Sequence, residues 1–135
     1  MNIKEIQEKI DATDYWDMEV LDLDIKYFGD EVSIVLYDDE ESSWILGFLS
    51  CYKVQYETDA TWRGLAHVKF MKRPQMGYYA QEILVKQNEE LEEFVDVKMD
   101  LSIMTLNLTC KDITIEKIEN DNLKFFWKEN ESNEN

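Results

Sequence analysis

Basic residues, histidine, proline and glycine are all scarce in this chain, and each shortage closes off a class of function. Fourteen Lys and Arg stand against 30 Asp and Glu in 135 residues, a formal net charge of −16. Binding nucleic acid through its phosphates needs clustered Lys and Arg, so no nucleic-acid partner is expected. His67 is the one histidine. It leaves no second histidine for a zinc site and no anchor for a Ser-His-Asp arrangement, so its ordinary role is structural or at the surface. The four glycines are too scattered for a P-loop or a GxGxxG turn, and Cys51 and Cys110 have no CxxC partner. No cofactor, no metal and no catalytic residue is therefore expected, and the chain reads as non-enzymatic.

Long apolar runs are missing too. The longest nearly uncharged one, Trp44 to Tyr52, is nine residues, against the roughly 20 a membrane helix needs. Met1 to Ala12 has no cationic start followed by an apolar block, so it does not read as a secretory signal. The expectation is a soluble, cytoplasmic protein without membrane contact. In that compartment two free, buried thiols are the ordinary reading of the cysteines; a bridge would require neighbouring strands.

What the chain does have is acid and apolar side chains. Hydrophobic residues make up 44% and aromatics 13%, enough for a packed interior that a disordered acidic chain would lack. The acid is uneven. No Asp or Glu occurs from Ala60 to Gln81, a window of charge +4 through Arg63, Lys69, Lys72 and Arg73, so the remainder carries −20. Internal pairing is the expected fate of that basic window. The surplus acid favours a basic partner, a cation, or no partner.

The length fits a single domain, 1–128, with a disordered acidic tail, 129–135. Asn2 and Glu5 form a capping-box pattern ahead of Ile3, Ile6 and Ile10, predicting a helix over about 3–12. Period-2 alternation then takes over. Leu21 to Tyr27 alternates with Asp22, Asp24 and Lys26; Gly29-Asp30 turns the chain; Val32 to Tyr37 is apolar on both sides, as a central strand is. A long strand follows from Trp44 to Tyr56, with Ser50 the exception on its apolar face and Gly47 the expected place for a bulge. Alternation also predicts strands at Ala66–Met71, Val95–Ile103, Leu106–Cys110 and Ile113–Ile115, and a last one at Leu123–Trp127. Tyr78 to Phe94 supports two readings: Tyr79, Ile83 and Val85 fit a strand over Tyr78–Gln87, the reading adopted, while Met76, Ala80, Ile83, Leu84, Leu91 and Phe94 fit a helix about as well. The change of parity near Met104 marks a bulge or a tight turn. Seven to nine short strands and one helix predict a mainly β chain, folded as an antiparallel β-sandwich or a barrel-like sheet.

Three groups are candidate sites. Asp22 and Asp24 leave the same strand face, as a paired-carboxylate or hard-cation site would require; the ordinary reading is a solvated face, and no D-x-D-x-D-G loop is present. Asp38, Asp39, Glu40 and Glu41 form an acidic loop that either inserts into a basic cleft or is a solvated turn. Trp44, Phe48, Tyr52 and Tyr56 share one strand face. They form either an aromatic core or the wall of a small β-barrel holding an apolar ligand.

Size, charge and β-pattern over most of the chain resemble the immunity proteins of bacterial polymorphic toxin systems, and Cys110-Lys-Asp-Ile-Thr-Ile-Glu is similar to a strand-ending segment in some of those families. The resemblance implies a non-enzymatic inhibitor that occupies the cationic cleft of a basic, nuclease-like toxin. Asp22, Asp24, Asp38, Asp39, Glu40 and Glu41 are then the expected acidic contacts, with Tyr37 and Trp44 as aromatic anchors beside the loop.

Overall fold

The computed structural model describes residues 2–132, the side chain of Ser132 excepted. Helix α1, Ile3–Asp11, begins where the capping pattern places it: Asn2 Oδ1 accepts from the Glu5 N–H at 3.2 Å. Its apolar stripe turns inward, Ile10 fully buried and Ile3 and Ile6 packed on the core. Six strands follow: β1 Val20–Lys26, β2 Glu31–Tyr37, β3 Ser42–Thr58, β4 Tyr78–Gln87, β5 Val95–Ser102 and β6 Met104–Glu119. They form one antiparallel sheet in the order β1-β2-β3-β6-β5-β4, and helix α2, Phe126–Ser132, closes the described chain.

The mainly β, antiparallel architecture is as the alternation indicates. The strand number is smaller, because β6 is continuous over 16 residues where the pattern divides it in two, and because Ala66–Met71 and Leu123–Trp127 form no strands. Strands β3 and β6 pair along nearly their whole length and bend together. Ser50 takes φ 55° and the register slips between Cys51 and Lys53. Between the inward pairs Phe48–Ile113 and Val54–Leu108, β3 carries one residue more than β6. The corner therefore sits at Ser50, the break in the apolar face, and not at Gly47. Gly47 stays in a regular ladder opposite Thr114, whose Oγ1 occupies the place a Cβ would need.

The bend divides the sheet into two halves. One is β1, β2, the start of β3 and the end of β6; the other is the end of β3, the start of β6, β5 and β4. The halves face each other, and their outer strands meet at one corner. There Glu19 bridges Tyr79, with Asp17 N–H to Ala80 O and Ala80 N–H to Met18 O both at 2.8 Å. Inside lies the main core, with Ile34, Leu36, Leu46, Phe48, Ile83, Met99 and Leu106 at zero exposure.

Two side chains cover the open edge of β4. Gln7 of α1 donates Nε2 to Ile83 O and accepts from the Val85 N–H, each at 2.8 Å. Tyr15 Oη accepts from the Ile83 N–H, also at 2.8 Å. An amide and a phenol thus stand in for a missing strand, which satisfies the edge and blocks further pairing.

A second apolar layer lies on the outside of β1, β2 and β3, where Leu21, Val35, Met76, Phe125 and Trp127 pack with Tyr37, Ile45, Val68 and Met71. This gives β2 its apolar residues on both faces. The layer comes from segments the alternation misreads. Ala66–Met71 is no strand; 3-10 turns run at Thr61–Arg63, Val68–Phe70 and Arg73–Gln75, ended by Gly77 at φ 84°. Leu123–Trp127 is no strand either. Phe125 and Trp127 stack at 4.7 Å, and Trp127 Nε1 donates to Leu21 O, at the β1 bulge where the ladder is interrupted. Helix α2 takes in Glu129–Ser132, the first part of the expected tail; residues 133–135 lie outside the described ones.

The expected turn at Gly29-Asp30 begins earlier, at Tyr27–Gly29. The parity change near Met104 is a tight turn between β5 and β6, with Ser102 at φ 71°.

Candidate functional site

The acidic loop is the β2–β3 turn, and it is held rigidly. Asp39 Oδ1 accepts from the Glu41 and Ser42 N–H groups at 2.8 Å and from Ser42 Oγ at 3.3 Å. Those bonds hold the Asp39 carboxyl below the usual carboxylate range, the Ser42 N–H contributing most. Asn120, just past β6, clips the turn from outside: its N–H donates to Glu41 O at 2.8 Å and its Nδ2 to Asp39 O at 2.9 Å, while Ser43 Oγ bonds its Oδ1. Asn120 carries no charge and no pattern, so nothing in the sequence singles it out. The clip brings Glu40 and Glu41 beside Glu119 and Asp121 around an open cleft of about 570 Å³. Asp38 is the neutralised member, paired to Lys117 at 2.9 Å. The hydrogen bond to Asp38 raises the Lys117 ammonium above its ordinary value.

Asp22 and Asp24 sit on the outer face of the first half-sheet, paired in register with Val35 and Ser33. Burial pushes the Asp22 carboxyl up, and Asp24 beside it adds to the shift. Lys26 reaches Asp24 at 3.4 Å. The same register puts Glu31, Asp112 and Glu116 on this outer face, so the sheet collects acids there that the sequence scatters over 95 positions. The β1 pair and the β2–β3 turn remain two patches. Between them lie Leu21, Tyr37 and Arg73, with Phe125 and Trp127.

The two aromatic anchors named from sequence are occupied within the chain. The Arg73 guanidinium lies 4.3 Å from the centre of the Tyr37 ring and pairs with Glu19 at 3.3 Å; Lys117 Nζ lies 5.3 Å from the centre of the Trp44 ring. Arg73 thus follows the internal pairing expected of the basic window, and Lys69 rests over the Phe70 ring. In the same window His67 is exposed and meets Phe70 edge-on.

The aromatic strand face does not wall one cavity. Phe48 is in the core and Trp44 half-buried, while Tyr52 and Tyr56 are 66% and 53% exposed. Beyond the corner, β3 is hydrogen-bonded by β6 alone among the described strands, which leaves these tyrosines uncovered. Tyr56 borders an open, largely apolar cleft of about 220 Å³ with Leu23, Met76, Tyr78, Met104 and Phe126.

Cys51 and Cys110 face each other across β3 and β6, and both thiols are free. Burial pushes them up to about 11 and about 12 respectively, so neither is a nucleophile at neutral pH. Among the described residues no helix is long and apolar enough to cross a membrane.

The described residues define a bent antiparallel β-sheet that presents one clipped acidic turn. A crystal structure of an uncharacterised protein from Neisseria gonorrhoeae shares the fold. It matches with a TM-score of 0.51 at 9% identity, covering 76% of this chain and 92% of that one. No curated protein matches the chain. Residues 2–117 match the family model "Immunity protein PIM7", and the chain belongs to that family. Membership makes it an immunity protein, a class whose role is to inhibit a toxin.

Proposed function

We propose that this chain neutralises a basic, nuclease-like toxin in the cytoplasm by laying its acidic patches across the cationic surface that binds the nucleic-acid substrate. The observation that carries the reading is the clipped β2–β3 turn. Glu40 and Glu41 make no ion pair among the described residues, yet their backbone is fixed by Asp39 and Asn120. A fixed turn loses little conformational freedom on binding, and unpaired carboxylates steer a cationic partner from a distance. Asp22 and Asp24 form the second contact. The Asp22 carboxyl, raised chiefly by burial and then by Asp24, supports this, because a partner's Lys or Arg offsets the repulsion from Asp24 and favours the charged form.

The test is cleavage of DNA and RNA by a nuclease toxin domain, sought first in the gene next to this chain's own, titrated with the purified chain. Cleavage should stop at one chain per toxin domain, and excess substrate should compete with the chain. Undiminished cleavage at saturating chain would overturn the reading, as would inhibition that leaves the toxin free to hold its substrate.

A further inference from the structure

The most exposed large apolar side chains outside the 61–75 turns gather at the β1–β2 tip. Phe28 is as exposed as a side chain can be and Tyr27 is 71% exposed. Both hold left-handed backbone, Tyr27 at φ 54° and Phe28 at φ 57°, ψ 26°. That region is disfavoured for any residue with a Cβ and rare for bulky ones. An ordinary tip here would carry Asn or Gly.

The strained shape is clamped from both sides. Gly29, at φ 99°, packs on Val54 of β3; the Asp30 N–H donates back to Tyr27 O at 3.1 Å; Asp30 O accepts from the Cys51 N–H at 2.8 Å. The clamp directs two aromatic rings into solvent instead of toward the core. Beside them, Tyr52 borders the same shallow cleft of about 330 Å³ and lies 5.7 Å from the Phe94 ring. The ladder around the tip carries Asp22, Asp24, Asp30 and Glu31 against a single base, Lys26.

We propose that Tyr27 and Phe28 are the aromatic anchors of the toxin contact, seated in an apolar pocket of the toxin that is rimmed by Lys or Arg. The proposal rests on the toxin-binding reading above and names the element that supplies most of its affinity. Charge complementarity fixes the kind of partner: an apolar pocket without a basic rim would meet a cluster of carboxylates that Lys26, paired with Asp24, does not balance. Strain in the free chain fits a binding role, since it persists only where the surrounding structure imposes it.

The experiment measures binding of that toxin domain, inactivated, to the wild-type chain, to Phe28→Ala, Phe28→Gly and Tyr27→Ala, and to Glu40→Gln/Glu41→Gln. Phe28→Ala and Tyr27→Ala should each weaken binding by about 10- to 100-fold, mainly through faster dissociation and with little dependence on salt. Phe28→Gly should bind as weakly while melting a few degrees higher, on the order of 3 °C, because it removes the strain; a fold defect would lower both. If the Phe28 variants bind within about twofold of wild type while Glu40→Gln/Glu41→Gln weakens, the tip is no anchor and the acidic reading stands alone. If the wild-type chain does not bind the toxin domain at all, both fail. Phe28→Ala that dissolves a dimer of this chain, with toxin affinity unchanged, would reassign the tip to self-association and overturn the proposal.

Discussion

Asp22 shows how burial and a like-charged neighbour act on one side chain. Its folded carboxyl is raised, chiefly by burial and then by Asp24. Between the ordinary aspartate value of about 3.9 and the raised one, the folded chain holds a proton that the unfolded chain has lost. Asp22 therefore costs stability as pH rises through that window, the opposite of Asp39, whose lowered carboxyl stabilises the fold above the ordinary value and loses that effect as pH falls. Asp22→Asn should melt higher than wild type at pH 7, and the two curves should converge near about pH 3, where the aspartate is protonated in both states. Thermal melts across pH check this; equal melting at pH 7 would mean that Asp22 is already compensated. Toward the toxin the sign reverses, and the same variant should bind more weakly.

Among the elements, α1 is where the sequence is most legible and its purpose least so. The capping pattern and the Ile spacing mark the helix, but Gln7 sits on the helix as an ordinary polar residue. Only the fold shows it bonded to Ile83 O and the Val85 N–H along β4. Gln7→Ala strands both groups on a part-buried edge, so a loss of about 1–3 kcal/mol is expected from chemical unfolding, with a new tendency to self-associate through β4. A loss under about 0.5 kcal/mol would mean that water replaces the amide.

Strand β4 follows the alternation of Tyr79, Ile83 and Val85, but the sequence fits a helix there about as well, through Met76, Ala80, Ile83, Leu84, Leu91 and Phe94; the pairing with β5 decides it. Phe125 and Trp127 alternate in the same way and yet mark no strand, because alternation reports burial on one side and does not supply a neighbour to pair with. The β1–β2 tip is illegible for a related reason. Tyr27 reads as the last residue of a strand, and the left-handed backbone of Tyr27 and Phe28 is imposed by the clamp on β3, a contact that no local pattern encodes. The acidic turn was visible as a run of four acids, whereas its rigidity depends on Asn120, 79 positions beyond Glu41.

Across the whole molecule, the bend at Ser50 decides what is presented. It closes the two half-sheets over one core and leaves the far end of β3 uncovered beside the tip, while strand register in the first half places acids from β1, β2 and β6 on one outer face. Two groups of the acids behind the net charge of −16 gather, one on an outer sheet face and one around a clipped turn, separated by the layer of Phe125 and Trp127. Such a surface speeds encounter with a basic protein and sets its orientation, while apolar anchors slow its release.

The most direct test of this account is affinity for the toxin domain across salt, for the wild-type chain and for Glu40→Gln/Glu41→Gln. At about 0.05 M salt the double variant should bind roughly tenfold more weakly, through slower association, and at about 0.5 M the two should agree, because exposed charges separated by more than a Debye length are then screened. Equal affinity at low salt, or a difference that salt leaves untouched, would contradict electrostatic capture by the acidic turn.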